Sequence, residues 1–378
     1  MQQTDNESRQ KLARLQNYLA QDVDNPHLLR ELIDLSLHLR ENALAREYLA
    51  QARKLSPHDP VLQQREGNLL LAEQEWRAAA GVFENLLRQH PDAALAFNLA
   101  YAWFWLGQYA AAREVLQPWL VPGAPLAAVI LMLRCLHHLG DLPAAMALQQ
   151  ANLPSMGQDA EFMSVSSLLY LDNSQLELAE QAAQAALVAG PPPFEALVVS
   201  GTVALGRGDY LLARERFAAA LQRKPDDGRS WSGSGLVSLL LRDYPRASKE
   251  LEQAIASMPQ HIGTRHVLAW CKILSGDLNG ANMVLQAALA LDRNFGETHG
   301  GLAVVAALQG RRADAEAAIR RAQGLNAQGL SGAFAQMLLA RDVHHPEKLA
   351  QEVHALVAQQ QAPFGGSLAD LIQKINLP

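Results

Sequence analysis

The chain has 378 residues and a net charge of −6, with 49% apolar, 6% aromatic and 19% charged residues. That is enough apolar material for a large core, and the alanine-rich text favours close-packed helices over sheets. No run of five or more Lys or Arg occurs, which argues against nucleic acid or an anionic membrane surface as the main partner.

Residues 1–25 open on the polar stretch Met1 to Leu15, which has no apolar core of the signal-peptide kind. No secretory leader is expected, and the setting is expected to be cytoplasmic, which the two cysteines suit. Asp5 to Gln21 reads as a capping helix. No apolar run reaches membrane-spanning length, so no direct membrane insertion is expected. Cys135 and Cys271 stand far apart in helical patterns and fit a reduced setting.

From Pro26 to Ala327 the text repeats. Nine units begin at Pro26, Pro60, Ala93, Leu126, Ala160, Phe194, Gly228, Ile262 and Gly296, spaced by 33 or 34 residues. Counting each start as position 1, position 20 is alanine in every unit: Ala45, Ala79, Ala112, Ala145, Ala179, Ala213, Ala247, Ala281 and Ala315. Position 8 is small in seven units, position 15 is often glycine, and position 32 is proline in five. Such spacing predicts two helices of about 12–15 residues per unit, joined by a tight turn that wants glycine and a polar neighbour. A small residue at position 8 is expected to let position 20 pack closely. Ile33 and Leu133, which occupy position 8 in units one and four, are expected to open their helix pairs slightly.

The register has one main irregularity. Pro118 falls inside the expected second helix of unit three and should cut it short. Pro118 to Pro125 is therefore read as a bend between sub-array 1 (26–120, repeats one to three) and sub-array 2 (121–327, repeats four to nine). Asn152 to Ala160 is a second soft spot. Beyond Ala327, residues 328–360 read as a closing helix pair and 361–378 as a flexible amphipathic tail. Leu368, Leu371, Ile372 and Ile375 form an apolar stripe in that tail. The tail is expected to fold into its own C-terminal groove or to enter that of a neighbouring copy, which would make a homo-oligomer.

Trp231, Gly235, Tyr244, Ala247, Leu251 and Pro259 resemble the tetratricopeptide repeat, written W-x2-L-G-x2-Y, then A-x3-F, then P. The resemblance covers most of the chain. It implies an all-α fold, an α-solenoid in which antiparallel helix pairs form a right-handed superhelix. It also implies a concave groove lined by first-helix positions 2, 5, 6, 9, 12 and 13. Units one to four then offer Arg30, Arg65, Asn68, Asn98, Tyr101, Trp105, Arg134 and His138, a polar and aromatic set. Units five to nine offer an apolar strip that includes Leu236, Leu240, Trp270 and Leu274, together with Leu171, Val198, Leu205, Val304 and Leu308. Another protein or a peptide is the partner this groove implies. Some members of the family grip a terminal carboxylate with Lys, Asn, Asn, Lys and Arg. Here Asn68 and Asn98 keep the asparagine pair, Gln64, Ala127 and Leu131 replace the charges, and Arg65 or Arg134 is left to supply one.

No P-loop, GxSxG, HExxH or CxxC motif is present. His137-His138 and His344-His345 are adjacent pairs, which point about 100° apart on a helix and cannot chelate alone. No enzyme activity, metal or cofactor is expected. The expected function is a scaffold or chaperone-like adaptor, serving a bacterial assembly or secretion system by analogy of fold. Two alternatives belong to other classes: a switch whose sub-arrays close on a ligand about residues 118–125, and a self-assembling structural subunit.

Overall fold

The computed structural model describes residues 2–340, apart from residues 189 and 328. The second helix of the expected closing pair and the tail 361–378 lie outside the described residues. Every element among those described is helical, and the chain divides into two compact units, Met1–Gly157 and Gln158–Pro378.

Unit 1 begins with α1 (Gln2–Leu19), whose Leu12, Leu15 and Leu19 join the buried cluster around Leu29, Leu32 and Ile33. Four helix pairs follow: α2 (Pro26–His38) with α3 (Asn42–Leu55), α4 (Pro60–Ala72) with α5 (Trp76–Gln89), α6 (Ala93–Trp105) with α7 (Tyr109–Leu116), and α8 (Leu126–His138) with α9 (Leu142–Met156). Pro118 acts as expected: α7 stops at Leu116 and a single 3₁₀ turn, Gln117–Trp119, replaces its last turns. This irregularity lies inside unit 1. Pro154 is carried within α9, and the division between the units follows directly after it, at Gly157.

Unit 2 continues the register with α10 (Ala160–Asp172), α11 (Leu176–Val188), α12 (Phe194–Gly206), α13 (Tyr210–Arg223), α14 (Gly228–Leu240), α15 (Tyr244–Ser257), α16 (Ile262–Leu274), α17 (Leu278–Leu291), α18 (Gly296–Leu308) and α19 (Arg312–Leu325). Every first helix spans positions 1–13 and every second helix starts at position 17. The last described helix, α20 (Leu330–Leu339), starts where a tenth first helix would. It packs closely on α18: a Cβ built on Gly300 would come within 2.6 Å of the Gly332 backbone nitrogen.

The local causes are uniform. Asn25, Asp59, Asp92, Asp159 and Asp227 cap first helices by accepting backbone N–H bonds, and Asp141, Asp209, Asp243 and Asp277 do the same at position 16 for second helices. Position 15 has a positive φ in all nine units, from 59° at Arg40 to 84° at Gly276. The next N–H then bonds back to position 11, as from Glu41 to Ser36 at 2.8 Å and from Asp243 to Ser238 at 2.9 Å. This closure satisfies the carbonyls left open at the helix end. Five units use glycine at this position, whereas Arg40, Gln74, Ser174 and Arg242 adopt the left-handed conformation with a side chain.

All nine alanines at position 20 are fully buried. The reason position 8 is small differs from the one expected. The nearest neighbour of a Cβ added at Gly67, Gly201 or Gly235 is the position-24 side chain of the same unit: Phe83 at 2.6 Å, Phe217 at 2.9 Å and Leu251 at 2.6 Å. In these three units the glycine at position 8 therefore makes room for a large side chain at position 24. Ile33 and Leu133 are accommodated at full burial.

Candidate functional site

In unit 1 the first helices are laced by polar pairs from one unit to the next. Position 9 of one unit meets position 6 of the following one. Asp34 on α2 accepts two bonds from Arg65 on α4, from Nε at 2.7 Å and Nη2 at 2.5 Å. Asn68 Oδ1 on α4 accepts from Asn98 Nδ2 on α6 at 3.1 Å. Arg30 Nη2 reaches Asp59, the cap of α4, at 2.5 Å. Burial works to raise the Asp59 carboxyl, but the Val61 N–H and the Arg30 guanidinium outweigh it and hold the group below the ordinary carboxylate value.

The structure thus brings the two asparagines together and commits Arg65 to Asp34, its side chain only 17% exposed. Arg134 lies half-buried on α8. The shared bond uses neither Asn68 Nδ2 nor Asn98 Oδ1, so a donor group and an acceptor oxygen stay available beside it.

Next to them stands an aromatic shelf. Trp105 stacks on Trp76 at 5.6 Å with planes 16° apart, and Tyr101 meets both rings edge-on at 6.2 and 6.1 Å. Phe97 stacks on Tyr101 at 6.2 Å. Phe104 links Trp105 to a second stack, His138 on Tyr109, whose centroids are 4.3 Å apart. Trp105 is 51% exposed, so the shelf presents an aromatic face to solvent. Trp76 and Tyr109 are absent from the sequence-based set because they begin second helices, at position 17. The signal was present all the same: position 17 is aromatic in units two, three, six and seven.

In unit 2 most of the apolar strip is covered by the chain itself. Val198, Leu205 and Val304 are buried, and Leu236 and Leu240 pack on the cluster of Ala204, Ala213 and Phe217. Trp270 lies 5.9 Å from the ring of Phe334 on α20 and joins Ile273, Leu338 and Leu339 in one cluster. Arg229 on α14 donates two bonds of 2.9 Å to Asp172 on α10, two first helices back. Leu274 and Leu308 are the members of the strip that stay exposed, at 55% and 43%.

Other reactive groups sit in structural surroundings. Cys135 and Cys271 are free and buried, and burial pushes the Cys135 thiol up to about 12. His266 lies 2.8 Å from Thr298 Oγ1 and edge-on to Phe295. Among the described residues, no three His, Cys, Asp or Glu side chains gather in a metal-binding group, and no helix is long and apolar enough to cross a membrane. His344 and His345 lie outside the described residues.

The family model described as "Tetratricopeptide repeat" matches residues 65–128 and 198–261. No curated protein matches the chain. Among solved structures, the anaphase-promoting-complex hetero-tetramer Cut9–Hcn1 is similar with a TM-score of 0.51 and 12% identity, over 94% of this chain and 78% of that one. Pseudomonas aeruginosa PilF gives 0.46 and 15%, over 59% and 98%. YrrB, described as a TPR protein with an unusual peptide-binding site, gives 0.41 and 19%, over 50% and 97%. At these identities the likeness is one of fold. The matched segments show tetratricopeptide repeats within the chain, set in an unbroken register of helix pairs.

Proposed function

We propose that the chain is a non-catalytic protein–protein interaction scaffold and that unit 1 holds an extended peptide along its first helices. The observation that carries this reading is the Asn68–Asn98 pair, with a donor and an acceptor to spare beside a half-exposed aromatic face. An extended backbone offers N–H and C=O groups in alternation, so one donor and one acceptor side by side can hold it without regard to sequence. Tyr101 and Trp105 supply apolar contact area at little cost in conformational entropy. Arg30 and Arg65 hold the first helices in register, and His138 borders the shelf against Phe104. By analogy of fold alone, the proposed setting is a cytoplasmic adaptor of a bacterial assembly or secretion apparatus.

The test is a displayed library of random linear peptides selected on the intact chain, with binders measured against the Asn68→Ala/Asn98→Ala variant. Two net hydrogen bonds are worth about 1–3 kcal/mol, or roughly 5- to 150-fold in affinity. That loss is expected with helicity and melting nearly unchanged. Binders that keep their affinity on the variant place the site elsewhere.

A further inference from the structure

At three seams of the array, position 13 of a first helix meets position 17 of the preceding second helix. Trp105 covers Trp76 and His138 covers Tyr109, each ring on ring. Leu240 packs in one cluster with Tyr210. At the seam that starts with Leu176, position 13 is Gly206, which has no side chain to offer. A hollow of about 280 Å³ opens at this point, with Leu171, Leu176 and Val203 in its lining and Gly206 at its edge. Small-molecule sites run to roughly 300–1,000 Å³, so the hollow stands just below the small end of that range, with room for one large side chain. One edge is held by the Glu180–Arg207 ion pair. Glu177, also in the lining, has no ion pair among the described residues.

We propose that this hollow receives an aromatic side chain of a partner protein, carried beside a basic group. The ring takes the place that Trp105 and His138 fill at the corresponding seams of unit 1. The basic group lies against Glu177, because the nearby guanidinium of Arg207 is already bound to Glu180. Buried aromatic anchors with a charged neighbour are the usual centres of interfaces. The proposal rests on the scaffold reading only in that the ring comes from a protein, and it places a second, separate contact in unit 2.

The probes are tryptamine, which carries ring and cation together, and indole-3-acetate, which carries the ring with an anion. Each is titrated into the full chain while the amide resonances of Thr202, Gly206 and Arg207 are followed by NMR. Tryptamine is expected to shift these amides saturably and to bind roughly two- to fivefold more tightly than indole-3-acetate, the scale of an exposed ion pair. Glu177→Gln should remove that difference. Gly206→Leu should fill the hollow from within and abolish the shift at Thr202. If Gly206→Leu loses helicity, Gly206→Ala should still weaken binding by intruding one methyl group. Absence of a saturable shift at these amides, or undiminished binding to the Gly206 variants, overturns the proposal. The Asn68→Ala/Asn98→Ala variant should bind tryptamine as the parent does, so failure of the unit 1 reading and failure of this one are told apart.

Discussion

Gly67 lies so close to the ring of Phe83 that a Cβ in its place would stand 2.6 Å from Cζ. The two residues belong to the two helices of one unit, and Phe83 is fully buried. A methyl group there has to move a packed ring. Alanine improves helix propensity by about 1 kcal/mol, while overpacking a filled core costs about 1–3 kcal/mol. Gly67→Ala is therefore expected to lower the thermal midpoint of the protein followed by circular dichroism. An unchanged or raised midpoint means that the ring can move aside.

The turn between the helices of a unit needs a left-handed residue, and Gln74 serves at φ 62° without being glycine. A side chain in that conformation costs about 1–2 kcal/mol. Glycine relieves that strain but loses about 0.5–1 kcal/mol through the entropy of the unfolded chain. Gln74→Gly, and likewise Arg40→Gly, should each raise the urea midpoint slightly. A fall in midpoint for both shows that the side chains hold the turn by contacts worth more than the strain.

Acid should weaken unit 2 through His266. Burial pushes its pKa below the ordinary value, against the opposing pull of the Glu297 carboxylate. The unfolded chain then binds a proton more readily than the folded one. This contribution to stability is complete above the unfolded value, near about 6.5, and is lost as pH falls through the lower folded value. Urea midpoints at about pH 7.5 and about pH 5 should differ less in His266→Gln than in the parent. An equal difference in both assigns the acid sensitivity to other groups.

The helix register was legible because it repeats: one alanine at position 20 says little, but Ala45 through Ala315 in step fix where each pair starts. The partner of position 8 was misread because sequence spacing gives the face a residue occupies, not which of two residues on the opposing helix reaches furthest. Phe83, being larger than Ala79, reaches Gly67 first. The same limit applied to the candidate site. Asn68 and Asn98 were found from their positions, whereas the stacking of Trp76 under Trp105 joins the second helix of one unit to the first helix of the next. The tail 361–378 was expected to cover the apolar strip; that α20 does so at Trp270, through Phe334, could not be placed from the pattern alone.

The most direct test of the scaffold reading is site-specific photocrosslinking in the native cell. A benzophenone amino acid is placed at Trp105, on the aromatic shelf, and in a second variant at Leu211, which is 76% exposed on α13. The scaffold reading predicts a discrete adduct from position 105, mapped by mass spectrometry to one linear segment of a partner protein, and none from position 211. No adduct at 105, or the same adduct from both positions, contradicts it.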